Sequence, residues 1–170
     1  MKDSILTNIA TLLHYLLTNA AGLVEHDPQW TSPSVILPAD HENMVQWRPV
    51  AIERPTPIAA LPLRPEIIAF YTSFWGWGWE GMHGDDVVML RTAWNADDLA
   101  QIAASLADQV AAGKPIFIAN TDSDTYVAVD NASGAVVLCE PGEPPTRQIA
   151  PSLSSFLASL CGTASGFAPQ

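Results

Sequence analysis

The chain has 170 residues, 48% of them hydrophobic and 15% charged, with 18 acids against 7 bases for a formal net charge of −11. That length fits one domain with a sizeable core. The acidity excludes nucleic acid and anionic lipid as natural partners and draws in basic proteins, although solubility alone would also account for it.

The first segment, SILTNIATLLHYLLTNAA, has the outline of a signal peptide, but Asp3 stands beside its lysine and Thr7, Asn8, Thr11 and His14 interrupt the apolar run. Ile5, Ile9, Leu12, Leu13, Leu16 and Leu17 fall instead at helical spacing. The expected helix runs from Ser4 to about Ala21, capped by Asp3 or Ser4 and ended by Gly22. No stretch reaches the ~20 apolar residues of a membrane span. A cytoplasmic location is expected.

A proline-punctuated region follows, with Pro28, Pro33, Pro38, Pro49, Pro55, Pro57, Pro62 and Pro65. Ser34–Leu37 and Met44–Trp47 are the strands it can hold, since proline keeps most of the rest off central strands. Pro65 is a favoured first helical position and opens a short helix carrying Glu66 to Thr72 into an aromatic run, FWGWGWEGM. Val87 to Trp94 reads as a strand. Asn95 and Asp98 form a loose capping box for a helix whose Leu99, Ile102, Ala103, Leu106 and Val110 share one face, with Gly113 at its end. Three strands follow, Ile116–Ala119, Tyr126–Val129 and Ala135–Leu138, separated by the turns TDSD and NASG. Pro151 and Ser152 open a last helix with Leu153, Phe156, Leu157 and Leu160 on one face, and residues after Gly162 (163–170) read as a frayed tail. This order predicts a single α+β domain over residues 1–170, an antiparallel sheet packed on one side by helices.

Catalytic groups do not gather in the sequence. His14, His26, His41 and His83 lack metal-ligand spacing, and Asp122-Ser123-Asp124 lacks the glycine and glutamate of a calcium loop. Cys139 and Cys161 are too few for a disulfide framework and read as buried free thiols. No phosphate loop, nucleophile elbow or CxxC pair occurs. The expectation is a binding protein, not an enzyme, with no cofactor and no metal.

Its candidate partner-binding residues lie in and after the aromatic run. Trp75, Trp77 and Trp79 alternate with glycine, so the three rings are expected to share one environment, either core or exposed hot spot. Glu80, Asp85 and Asp86 flank them, and Asp97 and Asp98 open the next helix, where negative charge also serves the helix dipole. Lysine or arginine of a partner would pair with these acids while the rings supply desolvated anchors.

The order of residues from Phe70 to Leu160 resembles the Syd family, the SecY-interacting proteins, within the SUKH superfamily. The resemblance rests on FYT at Phe70–Thr72, Gly84-Asp85, VVMLRTAWNADDL at Val87–Leu99 and PIFIA at Pro115–Ala119. It continues in VAVDNASGAVVLCEPG at Val127–Gly142 and APSLSSFLASL at Ala150–Leu160. Upstream, SPSVIL and VQWRP are similar to the family's SPC-I and V-W-Q-P stretches. The resemblance implies an α+β fold and a non-catalytic grip on another protein, either basic cytosolic loops of the SecY translocon or, as in many superfamily members, a basic toxin neutralised inside the producing bacterium. The departures are a shorter segment before SPSVIL, the AAGK loop before Pro115, RTAW in place of the usual glutamine before the tryptophan, and the aromatic-rich WGWGWEGM. They alter surface and keep the core signature, which places an immunity protein for a basic polymorphic toxin first and SecY binding second. Contact with the inner membrane would come only through SecY.

Overall fold

The structure, a computed structural model, describes residues 2–53 and 56–166, with side chains from 8 to 53 and from 56 to 162. The first helix, α1 (Lys2–Ala20), buries Ile9, Leu13, Leu16 and Leu17 completely and Leu12 in part, along the stripe that the periodicity predicts; the Ile5 side chain lies outside the described ones. It begins at Lys2, so Asp3 and Ser4 lie inside it and not at its cap; their side chains fall outside the described ones.

The proline-rich region is packed structure. Strands β1 (Leu23–Glu25), β2 (Val35–Ile36) and β3 (Met44–Trp47) form an antiparallel sheet in the order β1-β3-β2. One face of this sheet carries Val24, Val45 and Trp47, which join Leu17 and Trp94 in a small second core. Strand β4 (Val50–Ala51) then leads to a 3-10 turn at Pro57–Ala60 and to α2 (Pro65–Thr72), which has proline in its first turn as expected.

The aromatic run breaks into two strands instead of one extended piece. Strand β5 (Phe74–Trp75) pairs with β4, whereas β6 (Trp79–His83) pairs with β7 (Asp86–Leu90) across the two-residue turn Gly84-Asp85. Strand β7 stops at Leu90, short of the expected Trp94. Beyond it the Thr92 hydroxyl donates to the Gly76 carbonyl (2.8 Å) and the Ala93 carbonyl accepts from the Gly76 N–H (3.0 Å), so this segment is drawn off the ladder.

Helix α3 (Ala96–Ala111) starts at the predicted cap: the Asn95 side chain accepts from the Asp98 N–H at 2.8 Å. Gly113, just past its end, has φ +65°, a conformation that glycine adopts without strain. Strands β8 (Ile116–Thr121), β9 (Tyr126–Val129), β10 (Val136–Cys139) and β11 (Arg147–Ala150) complete a six-stranded antiparallel meander in the order β11-β10-β9-β8-β7-β6. Helix α4 (Leu153–Gly166) continues four residues past Gly162, where a tail was expected; residues 167–170 lie outside the described ones.

The meander curls around α4, which packs against both β6 and the opposite edge strand β11. Leu153, Phe156, Leu157 and Leu160 of α4 are completely buried there, with the His83 and Phe156 rings 5.1 Å apart. Strand alternation explains the inner surface: Val127, Val129, Val136 and Leu138 face this core, and Ala128, Val137 and Cys139 form a separate cluster on the other face. The expected α+β architecture is therefore the observed one.

Candidate functional site

Two glycines decide where the tryptophans go. Gly76 lies so close to the second core that a side chain there would meet the Trp47 ring at 3.2 Å, and Gly78, at φ +118°, would place a Cβ 2.5 Å from the Leu90 carbonyl oxygen. The backbone between them kinks and turns Trp77 outward. Trp75 and Trp79, at 6% and 7% exposure, are core residues, whereas Trp77 is 59% exposed. The three rings do not share one environment, because the chain does not stay extended from Trp75 to Trp79.

Trp77 stands on a built support. Its ring meets the buried Trp94 ring edge to face, centroids 5.1 Å apart at 87°. The Trp94 indole N–H donates to the Trp30 carbonyl (3.0 Å), and the Asn95 amide donates to the Thr31 carbonyl (2.8 Å), which clips the loop after β1 to the start of α3. A cleft of about 410 Å³ results, lined by Glu25, His26, Asp27, Trp30, Trp77 and Trp94 among others. On the other side of Trp77 a second cleft, about 420 Å³, takes in Trp47, Trp79, Glu80 and Met89. Trp77 lines both, and among the described residues neither is lined by a lysine or arginine.

The acids divide by role. Glu25 and Glu80 are exposed, and their side chains make no hydrogen bond or ion pair among the described residues. The Asp27 Oδ1 accepts from the Gln29 N–H at 2.9 Å, within its own loop. Asp85 is exposed at the tip of the β6–β7 turn, away from both clefts. Asp86 is paired with Arg147, Nη2 to Oδ2 2.8 Å. Asp97 is exposed in the first turn of α3. Asp98 is 8% exposed: one oxygen takes the Arg91 guanidinium at 2.7 Å and the other accepts the Trp94 N–H at 2.8 Å, so it holds the α3 entry together.

Of the sequence candidates, the structure thus brings together Trp77 and Glu80 and leaves Trp75, Trp79 and Asp98 inside the fold. It adds Glu25, Asp27, Trp30 and Trp94, which sequence reasoning did not assign to the site. The approach of these residues to Trp77 depends on contacts 64 residues apart in sequence, such as that between Trp30 and Trp94.

A larger cleft, about 640 Å³, lies between α3 and the outer face of β8 and β9, with Arg91, Lys114, Asp124, Phe117 and Tyr126 among its lining. Its chemistry is mixed. The Tyr71 hydroxyl at its wall donates to the Phe117 carbonyl, and burial pushes that phenol well above its usual range. Burial also raises the Cys139 and Cys161 thiols, which favours the unreactive protonated form. No three His, Cys, Asp or Glu among the described residues converge as metal ligands, and no described helix is long and apolar enough to cross a membrane.

Residues 14–161 match the family model described as Syd protein (SUKH-2). Among curated relatives, a protein named Protein Syd from Pseudoalteromonas atlantica is 30% identical over 152 residues, covering 81% of this chain and 82% of the relative. Protein Syd of Hahella chejuensis is 35% identical over 105 residues, 58% of this chain and 54% of that protein. Protein Syd of Pectobacterium atrosepticum is 28% identical over 141 residues, 75% of this chain and 78% of that protein.

Proposed function

The chain belongs to the Syd family, and from that premise we propose that it is a protein-binding module that docks onto basic cytosolic loops of the SecY translocon. The observation that carries the reading is Trp77, an exposed ring set between two clefts lined by acidic residues and, among the described residues, by no lysine or arginine. Exposed tryptophan on a rigid support is a typical interface anchor, and acids around it favour a basic partner.

The division of labour follows from the geometry. The net charge of −11 and the unpaired Glu25 and Glu80 attract a basic loop over distance, and Trp77 and the clefts beside it hold it once water is expelled. Supporting Trp77 on Trp94 limits the ordering cost of binding, since the ring is already held. Neutralisation of a basic toxin, placed first from the sequence, takes second place here: the family match is to Syd itself, and the relatives described above carry that name.

The test is direct binding of the purified protein to SecY translocon in lipid nanodiscs over a range of salt. Saturable binding that weakens steadily as salt rises is expected. No binding at low salt, or capture of a small basic toxin domain from the host lysate in preference to the translocon, overturns the reading.

A further inference from the structure

We infer that the cleft between the loop after β1 and Trp77 is a slot for a single arginine side chain of the basic partner, an inference that rests on the protein-binding reading above and sharpens it. Three tryptophans (Trp30, Trp77 and Trp94) and the acidic residues Glu25 and Asp27, with His26 between them, line one cleft of about 410 Å³. Aromatic faces attract a cation through the ring quadrupole, and the attraction strengthens as the cation loses water.

The polar atoms fit a guanidinium. The Trp94 indole N–H is already spent on the Trp30 carbonyl, so this ring offers the cleft no competing donor. Glu25 keeps both oxygens without a partner among the described residues, and Asp27, with Oδ1 engaged by the Gln29 N–H, keeps Oδ2. A planar fork of donors can lie against an indole while reaching acceptors in its own plane; an ammonium is a more strongly hydrated point charge and gains less from the same walls. The second cleft also has three tryptophans, Trp47, Trp77 and Trp79, but a single acidic residue, Glu80, so it offers a cation fewer acceptors. The clip between Trp94 and Trp30 and that between Asn95 and Thr31 hold the slot open before any guest arrives.

The test follows the six indole N–H signals by nitrogen–proton NMR while N-acetyl-arginine amide, N-acetyl-lysine amide or the neutral isostere N-acetyl-citrulline amide is added. The Trp77, Trp94 and Trp30 signals should shift saturably with arginine, with lysine about two- to fivefold weaker and citrulline without effect. Trp75 and Trp79 should stay in place. The double substitution Glu25→Gln, Asp27→Asn should abolish the response while leaving all six signals dispersed, which reports an intact fold. A citrulline response equal to that of arginine, a response that survives the double substitution, or no saturable shift at all would overturn the slot. Translocon binding that persists without an arginine response removes the slot and leaves the proposed function standing; an arginine response without translocon binding does the reverse.

Discussion

Arg147 on β11 reaches Asp86 on β7 at 2.8 Å although three strands separate them in the ladder. A flat sheet would hold them well apart, at about 4.8 Å per strand. The contact exists because the meander wraps α4, and the pair closes the open side of that curl. Both side chains are partly in water, 56% and 37% exposed, so the pair contributes at most about 1 kcal/mol. Asp86→Asn should therefore lower stability by less than about 1 kcal/mol in urea denaturation, by an amount that shrinks in high salt. Because Asp86 already has a partner, this change should also disturb protein binding less than Glu80→Gln does.

The two kinds of tryptophan separate in a stability measurement. Trp79→Ala empties part of the main core and should cost about 3–5 kcal/mol. Trp77→Ala removes an exposed ring and one edge-to-face contact, so its cost should stay near 1 kcal/mol. Equal losses in thermal or urea unfolding would contradict the outward placement of Trp77.

Neighbouring aspartates at the start of α3 should behave differently. Asp98→Ala strips Arg91 and the Trp94 N–H of their acceptor and should cost about 2–3 kcal/mol, moderated because Arg91 is half exposed. Asp97→Asn touches only the helix dipole and should cost below about 1 kcal/mol. Denaturant midpoints of the two variants check this directly.

Much of this architecture was legible from periodicity and punctuation. The α1 stripe, Pro65 at the head of α2, Asn95 as the α3 cap, and β9 all lie where the residue pattern puts them. The pattern failed where backbone geometry overrides alternation. Trp75, Trp77 and Trp79 alternate as one strand would, yet Gly78 kinks the chain and splits them between core and solvent. Strands β1 and β4 are too short, at three and two residues, to show a period in the sequence. The acids Glu25 and Asp27 could not be joined to Trp77 from sequence, since the tie runs through hydrogen bonds between distant loops.

That dependence on Gly78 is itself testable. Gly78→Ala adds a Cβ 2.5 Å from the Leu90 carbonyl in a conformation that side chains rarely adopt. It should destabilise by more than about 2 kcal/mol and should also lower partner affinity, because the kink aims Trp77.

Alkaline pH should weaken the fold through Tyr71. Burial raises its phenol pKa, opposed in part by Arg91, so the folded state holds the proton that the unfolded state begins to lose near pH 10. Stability from this group is complete below about pH 10 and declines as pH rises toward the folded value. Tyr71→Phe should flatten that decline in urea unfolding curves, at a neutral-pH cost of about 1 kcal/mol for the lost bond to the Phe117 carbonyl.

The most direct measurement is the affinity of Trp77→Ala for nanodisc-embedded SecY translocon, beside the unaltered protein at matched salt. Trp77→Ala should still fold and should lose about 2 kcal/mol or more of binding, roughly thirtyfold in Kd, mainly through faster dissociation. A folded Trp77→Ala protein that binds as tightly as the original would show that the partner docks elsewhere.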